Sequence, residues 1–177
     1  GVAPKRVKYG MASTTTGRLT VKSGPQILTL PAVARKYIQP SNGGSLYMSD
    51  LRSLEPRIAA YVAGKAIGED FYRDIQAAIG TSLPRKVIKL AILSSMYGAS
   101  KKTVAKEVGA DANQLVNRVR DYLDIVSVTR SLTSELMQFG HIKNMFGRPV
   151  FSGDVSSTTL YSHFIQSSAN DLALSAF

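Results

Sequence analysis

The chain contains no cysteine and no tryptophan, and only two of its 177 residues are histidines. Without thiols there can be no disulfide framework and no thiolate metal site. His141 and His163 lie far apart in sequence, so a zinc centre is not expected, and any bound metal should be a hard cation held by carboxylates. No apolar run approaches the roughly 18 residues of a membrane span, and no signal peptide is visible. These absences predict a cytoplasmic protein without membrane contact.

Acidic residues are also scarce, and their distribution is uneven. The chain has 22 Lys and Arg against 12 Asp and Glu, a formal net charge of +10, and no acidic residue precedes Asp50. An excess of positive charge favours a polyanionic partner, and nucleic acid is the first candidate. A basic N-terminal region that only aids solubility is the alternative interpretation.

The hydrophobic pattern predicts a mainly helical α+β chain. Residues 1–24 are polar and are expected to form loop. Short strands are expected at 24–31 and 45–50, separated by an Asn42-Gly43 turn. The expected helices cover 53–64, 69–79, 84–97, 100–139 with a break at Gly109, and 158–177. A hairpin that turns at Gly147 is expected over 141–151.

The stretch PRKVIKLAILSSMYG combines an apolar helix with three cations in its first two turns: Arg85, Lys86 and Lys89. Pro84 suits the start of a helix and Gly98 suits its end. The helix dipole disfavours each cation near the N-terminus by roughly 0.3–1 kcal/mol. A bound anion would reverse that penalty, so one interpretation is a polyphosphate site. A solvated basic edge on a core helix is the other.

Asp50 lies at the end of a predicted strand and directly before a predicted helix. A metal ligand or catalytic carboxylate is often found in such a place, although a helix-capping Asp would look the same. Glu55 and Arg57 follow within the stretch DLRSLEPR. A carboxylate for Mg²⁺, together with a cationic helix end for a polyphosphate, indicates nucleotidyl transfer.

Six blocks of the sequence, in order, resemble motifs of family A DNA polymerases, the bacterial polymerase I class with phage relatives. DLRSLEPRIAA (50–60) resembles their first carboxylate motif, Asp-x-Ser-x-x-Glu-x-Arg. RKVIKLAILSSMYG (85–98) resembles their fingers-helix motif, Arg-x3-Lys-x7-Tyr-Gly. The other blocks are TGRL (16–19), SGPQILTLP (23–31), GHIKNMFGRPV (140–150) and FIQSSAND (164–171).

The resemblance implies a mainly helical fingers subdomain attached to part of an antiparallel palm sheet. Residues 1–64 would begin the palm, residues 65–139 would form the fingers, and residues 140–177 would return to the palm. An incoming deoxynucleoside triphosphate (dNTP) would lie on the fingers helix.

The resemblance also implies roles for single residues at the nucleotide. Arg85 and Lys89 would meet the phosphates, and Lys89 would act as general acid on the leaving pyrophosphate. Asp50 would bind both Mg²⁺ ions, and Glu55 would close the space around the sugar's 2′ position. The remaining implied nucleotide-binding residues are Tyr72, Leu93 and Tyr97.

Four residues match positions that contact primer–template DNA in that family. Arg18 and Gln166 would read the minor-groove edge, Arg148 would contact the backbone, and Gly98 would allow close approach. Such contacts read shape and phosphate rather than sequence. The helix-turn-helix pattern of 100–123 is then expected to be an αα-hairpin rather than a sequence-specific DNA reader.

The sequence departs from the family pattern at several positions. Arg52 replaces a small Ser, Tyr72 stands where many members have His, and Leu93 replaces an aromatic residue. The second metal-binding Asp, in a His-Asp-Glu type motif, is not found before Phe177. Because two-metal catalysis needs carboxylates from more than one position, we expect activity to require a second polypeptide or a missing C-terminal part. The alternative is a non-catalytic DNA- or nucleotide-binding module derived from a polymerase.

Overall fold

A computed structural model describes residues 6–11, 13–40, 43–45, 47, 49–98 and 101–176, with the backbone alone at 101–103. Its helices, in chain order, are α1 (Ala32–Arg35), α2 (Leu54–Val62), α3 (Phe71–Ala78), α4 (Arg85–Tyr97), α5 (Lys101–Val108), α6 (Ala112–Tyr122), α7 (Ile125–Phe139) and α8 (Ser157–Ala176). Its strands form two antiparallel pairs, β1 (Lys8–Gly10) with β2 (Thr20–Ser23), and β3 (Ile142–Lys143) with β4 (Pro149–Val150). The expected α+β, mainly helical fold is confirmed.

Helix α4 lies at the centre of the core, where it packs against α3, α5, α6 and α8. Ile88, Ile92 and Met96 on its inner face are completely buried, as the 3.6-residue period requires for side chains four apart. The buried Ser95 hydroxyl donates to the Ala91 carbonyl at 2.8 Å, so this polar group is satisfied inside the core. The opposite face of α4 is left for the surface.

Helix α8 packs against α2, α4 and α7. It buries Leu160, Tyr161 and Ile165 on the side that faces these helices. Burying side chains of this size contributes about 1.5–3 kcal/mol each, so the contact fixes α8 firmly in place. Helices α2, α4 and α8 are thereby brought together, and they supply walls of the site described below.

Several predicted element boundaries are confirmed. Gly98 and Gly140 end α4 and α7 in the left-handed conformation, at φ +66° and +73°. Helix α3 begins two residues later than predicted, and the Asp70 carboxylate caps it by accepting the backbone N–H of Tyr72 at 3.2 Å. Pro84 differs slightly from the expectation, because its ψ of 145° makes it the N-cap of α4 rather than a first-turn residue.

The N-terminal third was predicted less well. Part of the expected loop at 1–24 forms the paired strands β1 and β2. The expected strand at 24–31 is wrong, since Ile27–Thr29 is a 3-10 helix in a stretch where two prolines lack the N–H that a ladder needs. The expected strand at 45–50 is also wrong for its described residues 45, 47, 49 and 50, which have no regular structure. Asn42, the first residue of the expected turn, lies outside the described residues.

The expected continuous helix from the αα-hairpin to Phe139 is interrupted at Asp124, whose φ is +45°. The hairpin itself is confirmed by α5 and α6, which flank a 3-10 turn. Leu123 and Ile125 are both buried, yet residues two apart on one helix point roughly 200° away from each other. The left-handed Asp124, a residue type that tolerates this conformation, allows both side chains to face the core.

None of the helices in the described ranges has both the length and the apolar character needed to cross a membrane.

Candidate functional site

A cavity of about 530 Å³ lies where α2, α4 and α8 meet the loop that carries Arg18. Its lining contains seven of the site residues expected from the sequence: Arg18, Asp50, Glu55, Tyr72, Lys89, Leu93 and Gln166. These residues come from five separate parts of the chain. The packing of α8 on α2 and α4 therefore brings most of the expected site into one place.

The outward face of α4 forms one wall of this cavity. Lys89 and Leu93 lie four residues apart, so they share a face, and both line the cavity. Arg85, one turn earlier, lines an adjoining cavity, and Tyr97, one turn later, points toward α2. Arg85, Lys89 and Leu93 therefore line the two cavities from successive turns of one helix face, whereas Tyr97 lines neither cavity.

The Glu55 carboxylate has two partners that the sequence did not reveal. One oxygen accepts a hydrogen bond from Arg18 Nη2 at 2.5 Å, and the other accepts from the hydroxyl of Tyr97. Burial, and then the hydrogen bond to Glu55, raise the pKa of Tyr97 far above its usual range. The phenol therefore remains a donor at physiological pH, and Glu55 is held from both sides.

Asp50 is exposed on the cavity wall and offers a carboxylate to its interior. Glu55, the other lining carboxylate, is occupied by Arg18 and Tyr97. In the described part of the chain, no group of three His, Cys, Asp or Glu side chains comes together that could hold a metal. Mg²⁺ is often bound through one or two carboxylates together with substrate phosphates. Asp50 therefore fits a site in which protein and substrate both supply Mg²⁺ ligands, and not one made of protein ligands alone.

Arg148 lies outside both cavities, and its side chain forms hydrogen bonds with other residues of the chain. Its Nε donates to Asp171 Oδ2 at 2.7 Å, and its Nη2 donates to the Thr16 carbonyl at 3.2 Å. Asn144 Nδ2 also donates to Asp171 Oδ2, at 2.6 Å, and Asn170 Nδ2 donates to the Gly17 carbonyl at 3.1 Å. These contacts hold the loop that precedes Arg18. The expected contact of Arg148 with a DNA backbone stays a prediction.

Sequence reasoning did not single out Asp171 as a member of this network. Burial alone would raise the pKa of Asp171, but the hydrogen bonds from Arg148 and Asn144 and the charge of Arg148 outweigh it, and the pKa falls below its ordinary value. Asp171 belongs to the FIQSSAND block, and Arg148 and Asn144 belong to GHIKNMFGRPV. Their presence in two resembling blocks was the sequence signal that could have singled them out. That they bind each other could be seen only in the tertiary structure.

Gly98 packs tightly against α8. A Cβ at this position would lie 3.0 Å from Thr158 Cγ2, and its φ of +66° already disfavours other residues. Gly98 does not line either cavity. The described contacts thus explain why glycine is needed here, and an approach of DNA to this position stays a prediction.

A second cavity of about 320 Å³ adjoins the first and shares Ser53 and Tyr72 with it. Three arginines line it: Arg52, Arg57 and Arg85. The Arg85 guanidinium lies over the Tyr72 ring at 4.3 Å from its centroid, a cation–π distance. The two cavities together place a cationic pocket directly beside the cavity that contains Asp50 and Lys89.

The chain matches no protein-family model. It is similar to a DNA polymerase from Mycobacterium phage L5. The two are 28% identical over 178 residues, which is 91% of this chain and 29% of the relative. The chain thus spans less than a third of the length of the polymerase that it resembles.

Proposed function

We propose that this chain is the nucleotide-binding part of a template-directed DNA polymerase of the family A type. The observation that carries the proposal is the convergence of Asp50, Lys89 and Glu55 on one cavity, together with Arg18 and Gln166. Similarity to a phage DNA polymerase over 91% of the chain supports the same reading. The parts of the chain would be an initial palm segment (1–64), fingers (65–139) and a return to the palm (140–177).

In this proposal a dNTP lies against the outward face of α4. Lys89 provides a positive charge beside the phosphates and donates a proton to the leaving pyrophosphate, while Arg85 holds the phosphates one turn earlier. Leu93 and Tyr72 flank the nucleotide on the cavity wall. The 3′ end of a primer attacks the α-phosphorus, so that a phosphodiester bond forms and the bond to pyrophosphate breaks.

Asp50 would hold Mg²⁺ jointly with phosphate oxygens, and Mg²⁺ would supply charge neutralisation at the transferring phosphoryl group. Because Asp50 is the one cavity carboxylate not engaged by the described side chains, a second carboxylate must come from elsewhere. We propose that a second polypeptide, or a further part of the same polymerase, provides it. The phage relative is more than three times as long as the matched region, which leaves room for such a part.

The Glu55 carboxylate, fixed by Arg18 and Tyr97, would stand beside the 2′ position of the sugar and exclude a ribose hydroxyl. Arg18 and Gln166 would face the minor-groove edge of primer–template DNA. A net charge of +10 supports binding to such a polyanion. Gly98 would allow DNA to approach the end of α4, and Arg148, which also holds the loop of Arg18, would contact the DNA backbone.

A non-catalytic nucleotide- or DNA-binding module is the second candidate. The engagement of Glu55 by Arg18 and Tyr97 favours it, because Asp50 is then the one carboxylate among the described cavity residues that is left for a metal. Such a module would bind DNA in a salt-dependent manner but would be indifferent to Asp50→Ala. The polymerase proposal instead requires that Asp50→Ala abolish incorporation once the remaining part is supplied.

The test begins with titration of the 177-residue chain with a fluorescent deoxynucleoside triphosphate in the presence of Mg²⁺. Lys89→Ala is expected to weaken binding about 10-fold or more, since a charge-assisted contact contributes about 1.5–3 kcal/mol. Lys86→Ala is the control, because Lys86 is exposed on the same helix and pairs with Glu107 at 3.2 Å, outside both cavities. Equal effects of the two substitutions would contradict the proposal.

A further inference from the structure

We infer that Arg52 is a further phosphate-binding residue of the proposed site and that it acts from the second cavity, here called the arginine pocket. The ligand would be the terminal phosphates of a nucleotide whose nucleoside occupies the first cavity, or free pyrophosphate. The inference rests on the proposed function and adds to it a residue at which the sequence departs from the family A pattern. Its basis is the placement of three guanidinium groups around about 320 Å³.

Two of the three guanidinium groups are already fixed in position. Arg57 donates from Nη1 to the Gly68 carbonyl at 2.9 Å and from Nη2 to the Glu69 carbonyl at 2.6 Å. Arg85 is held over the ring of Tyr72. A guanidinium carries five N–H donors in a rigid plane, so both groups retain donors for an anion after these contacts. Pre-organised donors of this kind lose little entropy when a phosphate binds.

Arg52 differs from Arg57 and Arg85 because no other described side chain or backbone group holds its guanidinium. It is exposed, and within the described ranges it makes no salt bridge and no side-chain hydrogen bond. Ser53, which follows it, has a φ of +53°, a conformation that a serine rarely adopts. Asp50 lines the first cavity and Arg52 lines the second. A carboxylate and a cation that are only two residues apart in sequence therefore line different cavities.

The acidic residues of the arginine pocket do not cancel its positive charge. Glu69 and Asp70 both line it, but the Asp70 carboxylate accepts the N–H groups of Tyr72 and Arg73 at the start of α3. Three arginines against two carboxylates leave a net positive pocket. A polyphosphate carries several negative charges, and pairs of its oxygens can accept two parallel N–H bonds from one guanidinium. It therefore matches several guanidinium groups better than a singly charged anion does.

The experiment measures binding of inorganic tripolyphosphate and pyrophosphate to the 177-residue chain by isothermal titration. Arg52→Ser, which restores the residue typical of family A, is expected to weaken binding of both about 10-fold or more. Arg52→Lys keeps the charge but loses the planar fork, so an intermediate affinity is expected. Lys86→Ser removes one exposed cation outside both cavities and should leave binding nearly unchanged. Equal affinities for Arg52→Ser and the unsubstituted chain would overturn the inference.

A parallel titration with deoxynucleoside triphosphate separates the two sources of the phosphates. If Arg52→Ser weakens this binding as well, the pocket receives the nucleotide's own terminal phosphates. If it weakens only pyrophosphate binding, the pocket receives the free product.

The same titrations separate this inference from the proposed function. Arg52-dependent tripolyphosphate binding that gains nothing from an attached deoxynucleoside would support the pocket and contradict the proposed function. Lys89-dependent nucleotide binding that is insensitive to Arg52→Ser would support the proposed function and overturn the pocket.

Discussion

Arg148 and Asp171 join the β3–β4 hairpin to the last helix by a hydrogen bond of 2.7 Å between Nε and Oδ2. From Arg148 the contacts continue to the Thr16 carbonyl, and thus to the loop that ends at Arg18. Arg18 in turn binds Glu55 at 2.5 Å. The Arg148–Asp171 pair, near the C-terminal end of α8, therefore holds the loop of Arg18, whose side chain lines the candidate site.

Loss of the Asp171 charge should destabilise the fold. Asp171→Asn keeps the shape of the side chain but weakens its hydrogen bonds from Arg148 and Asn144, so we expect the free energy of unfolding to fall by about 1–3 kcal/mol. Urea unfolding at pH 7 measures this change. Asp121→Asn on the exposed face of α6 is the matched control, with an expected change below about 0.5 kcal/mol. Similar losses of unfolding free energy in both variants would show that the Arg148–Asp171 pair does not stabilise the fold more than an exposed carboxylate does.

The contribution of Asp171 should also depend on pH. Because its pKa in the folded chain is lowered, its stabilisation is fully present above the unfolded pKa of about 3.9 and is lost as pH falls through the folded value. The difference in unfolding free energy between the unsubstituted chain and Asp171→Asn should therefore shrink at acid pH. A difference that stays constant from pH 7 to pH 3 would contradict the assignment.

Gly17 is expected to tolerate no side chain. Its φ is +82°, and a Cβ would lie 2.9 Å from Arg148 Nη2, so Gly17→Ala must both strain the backbone and displace the guanidinium. Gly64, at φ +66° with nothing near its missing Cβ, provides the control for backbone strain alone. We expect Gly64→Ala to cost about 1 kcal/mol and Gly17→Ala clearly more, measured by urea unfolding. Equal costs would mean that the loop accommodates a side chain by moving Arg148.

Glu55 is expected to control the choice of sugar. Removing its side chain by Glu55→Ala opens the space next to the 2′ position, so the ratio of ribonucleotide to deoxyribonucleotide affinity should rise roughly 10-fold. Glu55→Gln retains the volume and an acceptor for Tyr97, and it should keep most of the discrimination. Competition between the two fluorescent nucleotides measures the ratio. An unchanged ratio in Glu55→Ala would remove the assignment.

Tyr97 should make the fold sensitive to alkali. Since burial and the Glu55 carboxylate raise its pKa, the stabilisation from the neutral phenol is fully present below the unfolded pKa of about 10 and is lost as pH rises above it. Tyr97→Phe should therefore lose less stability than the unsubstituted chain between pH 9 and pH 11, as measured by urea midpoints. Parallel loss in both proteins would contradict this role.

The Tyr161 hydroxyl is completely buried and, among the described residues, has no hydrogen-bond partner. Burying an unsatisfied hydroxyl costs about 1–3 kcal/mol, so Tyr161→Phe should leave stability unchanged or raise it by about 1 kcal/mol. Thermal unfolding at pH 7 tests this expectation. A clear loss of stability would indicate that the hydroxyl has a partner, such as a buried water molecule.

The local features of this protein were predictable from its sequence. The 3.6-residue period fixed which face of α4 is buried and left Arg85, Lys89 and Leu93 on the other, because helix geometry depends only on neighbouring residues. Glycine ended α4 and α7 for the same local reason, since it alone enters the left-handed conformation without cost. Asp50 and Lys89, which the resembling blocks assign to one site, line the same cavity.

Tertiary structure decided the features that join distant parts of the chain. The Arg18–Glu55–Tyr97 contacts and the Arg148–Asp171 pair depend on how α8 packs against α2 and α4, which no local pattern encodes. The helix breaks at Asp124 because Leu123 and Ile125 are both buried in the core, which one continuous helix would not allow. This packing outweighs the helical propensity of the flanking residues. Spacing along the chain thus determined each helix and its polar face, whereas packing between helices determined which charges meet.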